Sequence, residues 1–339
     1  MACHQSSRTH RDETKPPLPY VPGQMLTVRP HEPPELTRPR FLKKEDLMKT
    51  RSKSPLERCL LYPPSEGLTG ASAISLRIIE GVRVGDGHHS QVVAVEASSN
   101  NEIPSGIRLI AKFYDPLYYG HRGYYNTFTD YNYSHETAAY KTLCELYGTI
   151  IPRYYGSYTC ELTTLYGNGF VQRPVRLILI EAVNGASMRD LNVEQFSQTE
   201  RQTIMRMVIE AETNIHMRNV MHRDLYPRNV LVERLQDSLR VVIIDFGSAV
   251  SRVPHCHGSA CTHGATLEEE KIFLPGVRIS PFLRWNEALW PYLPGNFEEW
   301  IDWDWQPWLE HYWPEDDTIT EHMREIWLPR DLIMPPPSP

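Results

Sequence analysis

The sequence predicts an α+β chain of two lobes, a small antiparallel sheet with one helix followed by a mainly helical, shortened lobe. Three observations carry this. The runs ISLRIIEGVRV, SQVVAVEA and IRLIAKFY between residues 74 and 114 are rich in β-branched residues and separated by Gly, Asn or Pro turn signals. Glu136, Tyr140, Leu143 and Tyr147 then recur at helical spacing. Further on, Ser197-Gln198-Thr199-Glu200 reads as a capping box opening a long helix with Ile204, Val208, Ala211 and Ile215 on one face.

Taken in order, residues 1–70 mix prolines (Lys15-Pro16-Pro17-Leu18-Pro19, Glu32-Pro33-Pro34) with basic side chains and no period, which predicts a disordered arm. Its basic stretch from Arg38 to Lys53 reads as solvated charge. Residues 71–183 hold the sheet lobe, completed by strands near 152–158 and 175–183, with an aromatic loop from Tyr118 to Tyr133 before the helix and Gly148 as its C-cap. Residues 184–330 form the second lobe. In it, short apolar strands at 229–232 and 241–244 deliver Asp245 to a strand end. A proline-rich tail covers 331–339.

The balance of the 339 residues, 41% hydrophobic with a formal charge of −7, argues against a dedicated nucleic-acid binder. No apolar run suits a leader or a membrane span, and six scattered cysteines read as reduced thiols. The expectation is a cytoplasmic or nuclear protein that engages neither membrane nor nucleic acid.

The chemistry-bearing residues follow one another in a sensible order. Gly85-Asp86-Gly87-His88-His89-Ser90-Gln91-Val92 lies between two strands, where glycines let backbone N–H groups approach phosphates. Lys112 sits inside an apolar strand, and Glu136 on the following helix is its candidate ion-pair partner. The strongest signal is His222-Arg223-Asp224 followed by Asn229 and then by Asp245-Phe246-Gly247. Asp224 suits a base that orients an attacking hydroxyl, and Asn229 and Asp245 offer hard oxygens to a metal ion.

These motifs, from about Ile74 to Gly247, resemble the eukaryotic protein-kinase superfamily and its diverged fungal members. The resemblance implies a bilobal protein-kinase-like fold and transfer of the γ-phosphoryl group of ATP, with Mg2+, to a hydroxyl of a protein, most readily serine or threonine. It assigns catalysis to Asp224, Lys112, Glu136 and Arg228, and magnesium to Asn229 and Asp245. Nucleotide contacts fall to Gly85, Gly87, Ser90, Val92, Lys112, Glu181, Val183 and Leu231. Ile180 takes the gatekeeper position, and His222, Phe246 and Tyr140 pack as supports.

The chain also departs from the family pattern. Ser90 replaces the third loop glycine, Ile110 stands where an alanine lines the adenine pocket, and Tyr226 replaces a lysine, with Arg228 as the substitute cation. No Ala-Pro-Glu-like motif closes the activation segment. A tryptophan-rich block, Trp290 through Trp313, follows and reads as aromatic packing, and the His/Cys segment 255–263 reads as a polar loop. Two alternatives therefore stand beside a protein kinase: a pseudokinase or nucleotide-binding scaffold, and a small-molecule phosphotransferase of the aminoglycoside type.

Overall fold

The computed structural model describes residues 15–34, 44–50, 52–98, 103–104, 106–119, 125–236, 238–254, 260–263, 278–290 and 293–328. The proline-rich tail, residues 1–14, and residues 255–259 of the His/Cys segment lie outside them, whereas 260–263 form a strand.

In chain order the first part comprises β1 (Met25–Glu32), α1 (Lys44–Thr50), α2 (Pro55–Leu61), β2 (Leu68–Thr69), β3 (Ile74–Arg83), β4 (Gln91–Ala97), β5 (Arg108–Tyr114), α3 (Tyr125–Thr142), β6 (Tyr154–Tyr166) and β7 (Gly169–Glu181). All strand pairings here are antiparallel, in the order β2-β1-β3-β4-β5-β7-β6, and β1 also pairs with β6. Six strands thus close into a barrel. The second part holds β8 (Ala186–Ser187), α4 (Gln198–Met217), β9 (Val220–Met221), β10 (Val230–Arg234), β11 (Leu239–Ile243), β12 (Val250–Pro254) and β13 (Ala260–His263). It continues through α5 (Pro281–Arg284), α6 (Trp305–Tyr312) and α7 (Glu321–Trp327). The mixed content fits an α+β fold. Among the described residues no helix is long and apolar enough to cross a membrane.

Among the described residues of 1–70, the strand that closes the barrel and the two helices correct the reading of a disordered arm. In β1 the side chains of Leu26 and Val28 point into the barrel while Met25, Thr27 and Arg29 point out, a strand alternation hidden among prolines and charges. Val28 pairs with Ile74 on one side and Cys160 on the other, so the edges of β3 and β6 are covered. Ser54 caps α2 through a capping box, and α2 adds Leu56 and Cys59 to the barrel core, with Val28, Leu76, Val93, Val95 and Phe113.

Inside the same core Arg173 forks onto Asp115 at 2.6 and 2.9 Å, and the Tyr20 hydroxyl donates to Asp115 at 2.6 Å. The buried ion pair is thereby fully hydrogen-bonded, the condition under which burying two charges is tolerable. It also ties residue 20 to the barrel.

A second correction concerns residues 125–133, read as loop but forming the first half of α3. Their aromatic content hid the helix, although Tyr133 is a core residue that packs at a tilt against Tyr114 and bonds His31. The helix stops at Thr142, and Gly148, at φ +69°, lies beyond a separate turn. Outside the barrel, α3 and the outward face of β7 (Ile178, Ile180) share a second core with α4, β10, β11 and the tryptophans. Trp285, Trp300 and Trp305 are buried there, Trp305 Nε1 donating to Trp285 O at 2.8 Å.

Two outcomes test the closed barrel. Val28→Ala lowers the unfolding free energy by about 2 kcal/mol in urea titration, because its methyls fill the barrel interior; an unchanged midpoint and slope would leave β1 without a closing role. Burial, aided by the nearby Arg176 charge, pushes the His31 imidazole down to about 4 from its usual 6.5. The unfolded chain therefore binds the extra proton first as pH falls, so stability is lost between pH 6.5 and about 4. His31→Phe gives a shallower decline of melting temperature over that window than the parent.

Candidate active site

The glycine loop joins β3 to β4. Gly87 adopts φ +92°, a conformation favouring glycine, and its N–H donates to Tyr118 O at 2.9 Å. Gln91 clamps the base of the loop, its amide exchanging two 2.8 Å bonds with the backbone of Gly85. Ser90 is buried, and its Oγ accepts from Arg83 Nη2 at 3.1 Å.

Lys112 lies on β5 with its ammonium almost wholly out of solvent, 2.5 Å from Glu136 Oε2 and 2.6 Å from Asp245 Oδ1. Burial opposes its charge, but Asp245 and Glu136 hold its pKa above the ordinary lysine value. Burial likewise works to raise Asp245, yet the Lys112 ammonium outweighs it and keeps this carboxyl well below the usual carboxylate range. For Glu136, burial prevails and pushes the carboxyl upward. Tyr114, two residues beyond Lys112 and therefore on the same strand face, donates to Glu136 Oε2 at 2.6 Å.

The segment 222–229 packs below. His222 donates from Nε2 to Ile244 O at 2.9 Å, and its Nδ1 accepts the Asp224 N–H at 3.3 Å. Burial lowers its pKa, in keeping with this neutral tautomer. Asn229 Nδ2 donates at 2.8 Å to both the backbone oxygen and Oδ2 of Asp224, while Arg228 bonds Asp224 Oδ1. The Arg228 guanidinium also lies 4.3 Å from the ring centre of Tyr226, so the two departures at 226 and 228 form one stacked unit. Arg223 and Asp245 both take left-handed backbone, φ 62° and 67°, strain of order 1–3 kcal/mol each that the surrounding bonds must offset. Phe246 is wholly buried between Tyr140, 5.4 Å away edge-on, and His222 at 4.9 Å.

A pocket of 380 Å³ brings together Ser90, Lys112, Asp224, Arg228 and Asp245, with Gly87 at its rim. Asn229 and Glu136 brace it from behind through Asp224 and Lys112. Not every expected nucleotide residue is there. Gly85, Val92, Glu181, Val183 and Leu231 do not line it. Instead the Glu181 carboxylate binds Arg240 at 3.0 Å and accepts the Arg153 N–H, Leu231 pairs with Ser187 and Val242, and Ile110 pairs with Ile180 across β5 and β7. Arg83, His88, His89, Tyr114 and Asn132 line the pocket unforeseen. His88 and His89 lie within the glycine loop read from the sequence, and Tyr114 carried the two-residue period from Lys112.

The donor set also bears on a metal ion. Among the described residues no hydrogen-bond donor reaches Asn229 Oδ1 or Asp245 Oδ2. Asp245 thus offers the pocket a hard oxygen of the kind a divalent cation takes, while Asn229 stands behind it, bonded to Asp224.

The family described as protein kinase domain matches residues 157–264, from β6 through the segment 222–229 and Asp245-Phe246-Gly247. Over that stretch the chain is similar to the protein-kinase superfamily. It is similar to calcium/calmodulin-dependent protein kinase type 1 of Macrobrachium nipponense, 34% identical over 86 residues that cover 25% of each chain. Similarity extends to myosin light chain kinase A of Dictyostelium discoideum, 34% identical over 77 residues covering 22% of this chain and 26% of that one. MAP kinase-activated protein kinase 2 of Drosophila melanogaster is 29% identical over 96 residues covering 27% of each. The chain thus spans about a quarter of the length of these relatives. The family match begins after Lys112 and Glu136, so the placement of those two rests on the structure.

The buried column is directly testable. Phe246→Ala removes a ring enclosed on both sides and lowers stability by about 3–5 kcal/mol, read by chemical denaturation; a loss below about 1 kcal/mol would mean that Tyr140 and His222 do not depend on it.

Proposed function

We propose that this chain is an ATP-dependent kinase that transfers the γ-phosphoryl group to a hydroxyl of a protein, serine or threonine in the first instance. One observation carries the reading: a single pocket joins Lys112, held between Glu136 and Asp245, to the Asp224 carboxylate, held by Arg228 and Asn229. Phosphoryl transfer requires this juxtaposition of a cation for the donor and a carboxylate for the acceptor hydroxyl. On this reading the barrel, through Val183, is the nucleotide lobe, and the remainder is the acceptor lobe.

The roles follow from position. Lys112 orients the phosphates, and the glycine loop covers them at Gly87 and Ser90, with Gly85 clamped at its base by Gln91. Magnesium, held by Asn229 and Asp245, offsets phosphate charge when bound. Asp224 orients the attacking hydroxyl and receives its proton. The relatives are named as protein kinases, which supports a protein acceptor. The free thiols of Cys59, Cys144 and Cys160 accord with a reducing compartment, cytoplasmic or nuclear. A nucleotide-binding scaffold is the second reading, favoured by Ile110 at the adenine wall and by the direct bond of Lys112 to the metal-binding carboxylate.

The two readings separate in a phosphotransfer assay with radiolabelled ATP, Mg2+ and a mixed serine/threonine peptide set. Wild type transfers label, Asp224→Asn loses about 10²- to 10⁴-fold in rate while still raising its melting temperature with Mg·ATP, and Lys112→Met and Asp245→Asn lose transfer as well. Equal labelling by wild type and Asp224→Asn refutes the kinase reading. A nucleotide-induced shift without any transfer leaves the scaffold.

A further inference from the structure

The pocket holds one cation that the roles above do not use. Arg83 ends β3, two residues ahead of Gly85, and its guanidinium turns beneath the glycine loop. Its Nη2 donates to Ser90 Oγ at 3.1 Å and lies 3.7 Å from Asp245 Oδ2, too far for a hydrogen bond. No other ion pair or hydrogen bond engages it among the described residues.

The other two cations lining the pocket are already committed. Lys112 sits within 2.6 Å of two carboxylates, and Arg228 is bonded to Asp224 and stacked on Tyr226. Their charge is largely offset in place. Arg83 is therefore the cation with the most uncommitted N–H donors, and a planar fork matches phosphate oxygens in a way an ammonium does not. The serine at the third glycine position also acquires a physical reason. A glycine there would leave the loop its freedom but remove the hydroxyl that fixes the guanidinium under it.

We infer that Arg83 is a phosphate-binding residue of this site, donating to the terminal phosphates of the nucleotide and held in position by Ser90. This rests on the nucleotide site proposed above. It implies that a side-chain cation beneath the loop serves the phosphates where the Gly85 and Gly87 N–H groups are already bonded within the protein, and that affinity resides more in the phosphates than in the base, whose wall carries Ile110.

The test is calorimetric titration of wild type, Arg83→Ala and Arg83→Lys with Mg·ATP, Mg·ADP and adenosine, beside the melting temperature without ligand. Arg83→Ala binds ATP about 10-fold or more weakly, as expected for a lost charge-assisted bond, with adenosine affinity and unliganded melting unchanged. Arg83→Lys recovers part of the loss. Unchanged ATP affinity in Arg83→Ala, or equal weakening for adenosine and ATP, overturns the assignment while the nucleotide site stands. Wild type that binds none of the three ligands overturns the nucleotide site and this inference with it.

Discussion

The ammonium of Lys112 is the point on which the site depends. It is buried between two carboxylates from elements far apart in sequence, Glu136 on α3 and Asp245 at the end of β11. An unpaired charge at that depth would cost several kcal/mol, so the lysine holds the helix and the strand end together as much as they hold it. The left-handed backbone at Asp245 and the position of Phe246 between Tyr140 and His222 are part of the same arrangement. Removing either carboxylate would leave the other to balance the cation alone.

Closure of the barrel gives this arrangement a firm wall. A strand drawn from the N-terminal region covers the edges of β3 and β6, and the Asp115, Arg173 and Tyr20 network pins that region inside. The same region reaches the glycine loop. The Tyr118 hydroxyl donates to the carbonyls of Pro16 and Pro17, Tyr118 O accepts from Gly87, and Lys15 pairs with Asp86. The loop is thus tethered on its outer side and underpinned by Arg83 and Ser90 on its inner side.

On the helical side, aromatic packing carries the structure. Trp285, Trp300, Trp305 and Trp308 fill the space below α4, and the buried Glu212 carboxylate binds both Arg284 and the Trp285 indole. Asn296 donates to Leu225 O at 3.0 Å and so reaches the segment that presents Asp224. The tryptophan-rich block is in this way connected to the segment 222–229.

By itself, the sequence determined the identity and order of the candidate site residues. Lys112, Glu136, Asp224, Asn229 and Asp245 were legible because phosphoryl transfer restricts residue type and spacing, and the capping box of α4 was legible because it is local. Alternation and helical period located β3 to β7, β10, β11 and the core of α3, since those patterns are set by the neighbouring residues of one segment. Only the tertiary structure decided which distant segments meet. The strand Met25–Glu32 shows two inward apolar side chains among prolines and charges, too short a period to read until β3 and β6 stand on either side of it. Arg83 looks like any strand-end arginine until folding brings Ser90 and Asp245 beside it, because a contact between residues 83 and 245 depends on chain closure and leaves no trace in local pattern.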